Sequence, residues 1–416
     1  MSWARSIACL SVAALSLCYA AGETTAQPTR KPLKIYIDAD RTHHIESARS
    51  IEMGLRTALD EIDNRLQGYA IEVVPLDHRG NVARSKRNMN KFLNDDDALV
   101  LFGGLHSPPL IKHRDYINEN KILTLVPWAA GGPITRHTES DNWVFRLSID
   151  DSKAGYRIAN FAVDSLSCTT PHLLLEETGW GKSNEKTMST AIGKQLGIEP
   201  KITWFRWGID LNAARIRLRG IVRQGADCVL MVANAVEGSI FAKAMASLDT
   251  DQRRPLVSHW GITGGSFHNE VPHDIRSKLD LYFIQTCFSF VSSPETAMSS
   301  SVLQRAMRLF PDDIKSAEDL PAPTGFIHAY DLGLVLRTAL KNVKLKGSPA
   351  ANRAKVRKAL ETISTPVQGL VRTYEPPFRP YQVGLPDAHE ALDLKDFCMG
   401  TFGKNNEIRL QPRQAS

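Results

Sequence analysis

The chain has 416 residues, 43% of them hydrophobic and 23% charged, and carries a formal net charge of +6. That is enough chain for more than one domain-sized core, and the balance excludes a disordered or fibrous protein. The basic stretches Arg84–Arg87 and Arg215–Arg223 sit in helical patterns without interleaved aromatics, so nucleic acid is not an expected partner.

The N-terminus reads as a targeting segment. Met1–Arg5 carries one positive charge, and Ser6–Ala20 is an apolar run of roughly fifteen residues followed by Ala20-Ala21-Gly22. Such a run is too short to span a bilayer comfortably and has the layout of a secretory signal peptide. Residues 1–26 are therefore expected to be removed, with cleavage within 20–26, leaving an exported chain. Cys18 follows Leu15-Ser16-Leu17, and the bulk of Leu17 argues against a lipidated cysteine.

Leu33–Asp38 predicts a first strand, and Ala39–His44 a polar loop. Ile51, Leu55, Leu59 and Ile62 recur at helical spacing, predicting a helix over Ser47–Leu66 that Gly68 stops. A strand over Ile71–Leu76 and a helix over Val82–Leu93 follow. Ala98–Ser107 (ALVLFGGLHS) and Ile122–Pro133 (ILTLVPWAAGGP) are apolar runs that end in small residues, with a helix over Leu110–Asn120 between them. Continuous apolar runs of strand length fit parallel strands buried on both faces. The alternation predicts a doubly wound α/β sheet.

Near Trp143–Ser148 the chain starts a second series. It predicts helices over Ala154–Ser165, Lys182–Leu196, Leu211–Gln224 and Ser239–Ser247. These alternate with strands at His172–Glu176, Ile202–Phe205, Cys228–Ala233, Pro255–Ser258 and Leu281–Cys287. A polar loop over 291–300 leads to helices at Ser301–Leu309, Phe326–Asn342 and Ala351–Thr362. The tail from Thr365 is rich in Pro and Gly, with short hairpin strands that include Glu407–Leu410.

Several sharper chemistries fail on spacing. Gly181-Lys182-Ser183 would need a glycine at 176 to cradle a phosphate, and that residue is Glu176. Ser107 is followed by two prolines, and Ser266 lacks a strand leading into it, so neither forms a nucleophile elbow. No enzyme activity is expected. The histidines show no H-E-x-x-H pattern and no helical ligand pair, so no metal and no cofactor are expected. Cys168, Cys228, Cys287 and Cys398 remain after cleavage; they fit one or two disulfides or buried thiols, and the pairing stays open.

Positive features gather at strand ends. In an open α/β sheet, ligands sit at the carboxyl ends of the strands, where helix N-termini favour negative charge. Trp128, Trp180 and Trp260 each follow directly on a predicted strand. An aromatic-walled crevice with few polar anchors is the usual composition of a small-molecule site.

Five segments then carry a family likeness: FGGLHS at 102–107, LVPWAAGGPIT at 125–135, FRLSIDD at 145–151, LLEETGWGKS at 174–183 and ADCVLMVAN at 226–234. In this order the chain resembles the periplasmic solute-binding proteins of the branched-chain amino acid type, the type I group that includes the Leu/Ile/Val-binding proteins. The resemblance implies two doubly wound lobes joined by a three-crossover hinge that close on a ligand. Lobe one would hold 32–148 plus 288–363, and lobe two 149–287 plus 364–416. The hinge would lie near Ser148–Asp151, Cys287–Phe290 and Thr362–Gly369.

By the same resemblance, Ser107 would hold a ligand carboxylate and Trp128, Ala129 and Ala130 would frame it. Trp180 would close over the ligand, and Asn234 or Ala235 would fall near another aromatic contact. His106 stands where some members have Cys. Trp260 falls where amino-acid binders place an acid to pair the ammonium. A buried ammonium without a carboxylate partner is costly, so the expected ligand is a small carboxylate, amide or aromatic compound and not a simple aliphatic amino acid. The implied partner is the membrane permease of an ABC uptake system, or, as the alternative, a sensor kinase or similar receptor.

Overall fold

A computed structural model describes residues 31–137, 139 and 141–412. The expected signal peptide lies outside the described residues. Two sheets organise the chain, and each grows from the apolar runs that the sequence marks.

The first sheet holds β1 (Leu33–Ala39), β2 (Arg65–Leu66), β3 (Tyr69–Asp77), β4 (Ala98–Gly103), β5 (Thr124–Val126) and β6 (Val144–Arg146) in the order β2-β3-β1-β4-β5-β6. All pairings but β2–β3 are parallel. Its helices are α1 (Ile45–Asp60), α2 (Val82–Leu93) and α3 (Ser107–Glu119). The expected helix to Leu66 stops at Asp60. Asp63, Asn64 and Gln67 adopt positive φ, as does Gly68, and the chain turns into the β2–β3 hairpin. Asp and Asn tolerate that region better than most side chains.

The second sheet contains β7 (Pro171–Glu176), β8 (Lys201–Phe205), β9 (Cys228–Val232), β10 (Leu256–Ser258) and β11 (Leu281–Thr286). Later come the hairpin β12 (Val367–Gln368) and β13 (Thr373–Tyr374), which stands apart, then β14 (Phe397–Phe402) and β15 (Ile408–Leu410). The order is β15-β14-β11-β10-β9-β7-β8, with β14 and β15 added antiparallel at one edge. The helices of this half are α4 (Asp151–Asn160), α5 (Gly179–Leu196), α6 (Leu211–Arg223), α7 (Ala235–Ala246), α8 (Phe267–Glu270) and α9 (His273–Arg276). Disulfides join Cys168 to Cys228 and Cys287 to Cys398. The second ties the end of β11 to β14.

Between the sheets' contributions, α10 (Ala297–Leu309), α11 (Pro323–Lys341) and α12 (Arg353–Glu361) return to the first half. α10 starts earlier than the sequence predicts because Thr296 and Ser299 form a capping box. α11 packs along α1 at close range: a Cβ on Gly54 would lie 2.2 Å from the Phe326 carbonyl oxygen. The chain thus crosses between halves three times. The third return, expected near 362–369, comes later. Asp331 on α11 accepts from the Leu370 and Val371 amides at 2.6 and 3.0 Å and from the Tyr374 hydroxyl at 2.7 Å. Arg146 pairs with Glu390 at 2.7 Å, both buried. These bonds hold 367–390 against the first half, and the chain joins the second sheet only at Phe397. Among the described residues, no helix is long and apolar enough to cross a membrane.

Candidate ligand-binding site

The carboxyl ends of both sheets face one another across a tight cavity of about 10 Å³. Of the eight residues expected at a site, His106, Ser107, Trp128, Ala130, Trp180, Asn234 and Trp260 line it. Ala129 does not. It is fully buried, and its carbonyl accepts from the Arg146 guanidinium at 3.3 Å. Leu105, Pro108 and Gly261 complete the lining; they are chain neighbours of expected residues, and their own types carry no chemical signal. Larger grooves lie elsewhere, among them one of about 530 Å³ between α10 and α11 and one of about 600 Å³ around Lys31, Tyr69 and residues 345–349. Neither reaches the facing strand ends.

Helix starts converge on the cavity. Ser107 opens α3, Thr178 caps α5 two residues before Trp180, and Asn234 is the residue before α7. Each helix start leaves amide donors without intrahelical partners and carries the positive end of the helix dipole. Ser107 Oγ accepts from the Gly131 amide at 3.0 Å, which holds the loop after β5 against α3. Thr178 Oγ1 accepts from the Trp180 amide at 3.2 Å and so fixes where Trp180 leaves the backbone.

The tryptophans are packed, not loose. Trp128 and Trp260 meet with ring centroids 6.0 Å apart at 60°, and Trp180 stands edge-on to His259 at 5.0 Å. Trp128 rests on bare backbone: a Cβ on Gly325 of α11 would lie 2.7 Å from its ring. The indole nitrogens of Trp128 and Trp180 are buried and have no hydrogen-bond partner. A buried unpaired donor costs about 1–3 kcal/mol, so both are open to an acceptor.

Of the polar groups on and just behind this lining, several are held by hydrogen bonds. Burial pushes the His106 imidazole down to about 3, so it is neutral; its Nε2 lies 3.3 Å from Asp40 Oδ2, and its Nδ1 is unpartnered. Behind Asn234, Glu176 is buried and receives the Asn234 amide at 3.3 Å and the Thr178 hydroxyl at 3.0 Å. Burial outweighs those hydrogen bonds and raises its pKa to about 7. Under Trp260, His328 is pinned between the Pro127 carbonyl at 3.1 Å and Thr286 Oγ1 at 3.0 Å, and burial holds it near 3. Among the described residues, no carboxylate lines the cavity.

Contacts cross between the halves around this point. The Gly132 amide donates to Ser183 Oγ at 3.1 Å, and Thr263 Oγ1 lies 3.3 Å from Thr324 Oγ1. The two halves, joined by three stretches of chain, are thus in direct contact beside the cavity.

No curated protein sequence matches this chain significantly. Solved structures share its fold. A type 1 periplasmic binding protein from Bordetella pertussis Tohama I aligns over 92% of this chain and 100% of its own, with a TM-score of 0.73 and 18% identity. The leucine-binding protein LivK of Thermotoga maritima aligns over 91% and 98%, with 0.71 and 15%. A solute-binding protein of an ABC transporter from Rhodopseudomonas palustris HaA2, in complex with p-hydroxybenzoic acid, aligns over 92% and 96%, with 0.73 and 15%. The sequence family described as periplasmic binding protein matches residues 45–389, and with two facing α/β units, three crossovers and a cavity at their strand ends, this chain belongs to that family.

Proposed function

We propose that this protein is the periplasmic binding subunit of an ABC-type uptake system, exported by its N-terminal segment, and that its two lobes close on a small aromatic carboxylate. One observation carries the reading. Two unpartnered indole donors and three helix starts surround a cavity to which the described residues bring no carboxylate. Such walls complement a flat, anionic, acceptor-rich ligand. They leave an α-ammonium without a counter-charge, and an unpaired buried charge is costly. The fold relatives include an ABC-transporter solute-binding protein in complex with benzoate as well as one in complex with isoleucine, so this scaffold accommodates either class. Ser107 Oγ is engaged by the Gly131 amide, and the protein acts as a carrier that releases its ligand unchanged.

Thermal-shift measurements test this. The exported chain is unfolded and refolded to remove carried-over ligand, then screened against benzoate, hydroxybenzoates, aliphatic carboxylates, amides and amino acids. A ligand at about 100 times its Kd adds about 2.7 kcal/mol to the stability of the folded state. Shifts are expected with aromatic carboxylates and not with leucine or valine. A strong shift with leucine alone overturns the proposed ligand class.

A further inference from the structure

At the edge of the same cleft, two strand ends of the first sheet and the start of α1 bring imidazoles onto one carboxylate. Asp40 follows β1, His44 precedes α1, and His106 follows β4 across 66 positions of sequence. All three are buried, at 2, 6 and 4% exposure. His44 Nδ1 lies 3.4 Å and His106 Nε2 lies 3.3 Å from the same oxygen, Asp40 Oδ2. The exposed His43 reaches that oxygen through its own Nδ1 at 3.4 Å. The three buried residues offer ligand atoms that all lie within 4.8 Å of one another.

The geometry points to a binding site for a divalent zinc-class ion held by Asp40, His44 and His106. Ligand–metal bonds of about 2.0–2.2 Å in a tetrahedron place neighbouring donor atoms roughly 3.3 Å apart; the spacing around Asp40 Oδ2 is already that. The carboxylate is oriented for the task. Its other oxygen accepts from the Thr42 and His43 amides at 3.1 and 2.9 Å, which leaves Oδ2 turned to the imidazoles. Two imidazoles and one carboxylate are the ligand set of a zinc site with a fourth position open, and His43, on its exposed side chain, or water completes it. Nitrogen-rich ligation selects zinc-class ions over calcium or magnesium.

The site also touches the proposed ligand cavity. His106 binds the ion through Nε2 while its unpartnered Nδ1 belongs to a ring that lines the cavity. Coordination fixes the tautomer with the proton on Nδ1, a donor for an anionic ligand. Trp207, from the second half, stands 5.4 Å from the His106 ring, so the ion's occupancy is reported by an indole across the cleft.

The test uses the untagged exported chain, stripped with chelator. Calorimetry with Zn²⁺ is expected to give one site per chain. Asp40→Asn and His44→Gln are each expected to weaken it by tenfold or more, while His273→Gln, exposed on α9 of the second half, leaves it unchanged. Co²⁺ in the unaltered chain is expected to give an intense visible d–d absorption and to quench Trp207 fluorescence, a readout that needs no variant to fold. Absence of stoichiometric Zn²⁺ binding overturns the proposal. So does binding that survives both substitutions, or a weak octahedral-type Co²⁺ spectrum. All of these readouts are independent of which organic ligand the cleft takes.

Discussion

Closure can be obstructed at a single glycine. Gly264 sits on the second half with φ −88° and ψ 5°, a conformation open to any residue. Space is the constraint. A Cβ there would lie 2.5 Å from Leu105 Cδ1 and 3.3 Å from the Trp128 ring, both on the first half, and 3.2 Å from the Gly261 carbonyl oxygen. Alanine could be met by a turn of the Leu105 side chain; leucine could not, because the rigid indole lies behind it. Overpacking of this kind costs about 1–3 kcal/mol. Only the closed form bears most of that cost, so a ligand that binds by closing the lobes should bind Gly264→Leu about 5- to 150-fold more weakly. The assay pairs calorimetric affinity with small-angle scattering at saturating ligand. The unaltered protein should contract on binding, and the variant should stay expanded, with the melting temperature of the unliganded protein nearly unchanged. Unchanged affinity and full contraction would refute the closure geometry. A large loss of unliganded stability would show that the glycine serves folding instead.

Three further outcomes follow from individual residues. Glu176 keeps its proton up to about 7 when folded, against 4.5 ordinarily. Stability should therefore fall as pH rises from about 4.5 to 7 and stay lower above it. At about 1.4 kcal/mol per pH unit the loss is about 3 kcal/mol, and Glu176→Gln should be the more stable protein at pH 8 by about that much, with the gap closing by pH 4; parallel denaturation profiles for the two would contradict it. Trp180→Phe keeps an aromatic wall but removes one unpartnered donor, and a hydrogen bond to a charged acceptor is worth about 1.5–3 kcal/mol, so carboxylate affinity should drop about 10- to 150-fold in titration calorimetry while the fold persists. Glu390→Leu leaves the fully buried Arg146 with Asp150 as its remaining carboxylate partner at 2.9 Å; removal of one partner from a buried pair costs about 3–5 kcal/mol, and urea unfolding at neutral pH should show it.

The residues that made the fold legible are those whose context is local. Ala98–Gly103 and Cys228–Val232 are buried at every position, and a continuous apolar run says so by itself. The tryptophans were found for the same reason, since each follows a strand whose end must lie at the cleft. Ala129 looked equivalent to Ala130 in sequence, but one position along an irregular loop reverses which side faces the cavity, and no periodicity carries through such a loop. The tail was read least well because Asp331 and Arg146, which hold 367–390 to the first half, act from 40 and 244 residues away. The same holds for Asp40, His44 and His106: metal-ligand spacing in sequence detects sites built on one helix or loop, and this one is assembled from two separate strand ends. Cysteine pairing was open for the same physical reason, with 60 and 111 residues between partners.

The central claim is that the cleft binds an acceptor-rich aromatic anion and does not pair an ammonium. The most direct measurement is calorimetric titration of the refolded protein with benzoate and with leucine side by side, repeated on Trp180→Phe. The account predicts saturable one-to-one binding of the aromatic carboxylate, weakened in the variant, and no heat beyond dilution from leucine. Tight leucine binding with no response to benzoate would contradict it.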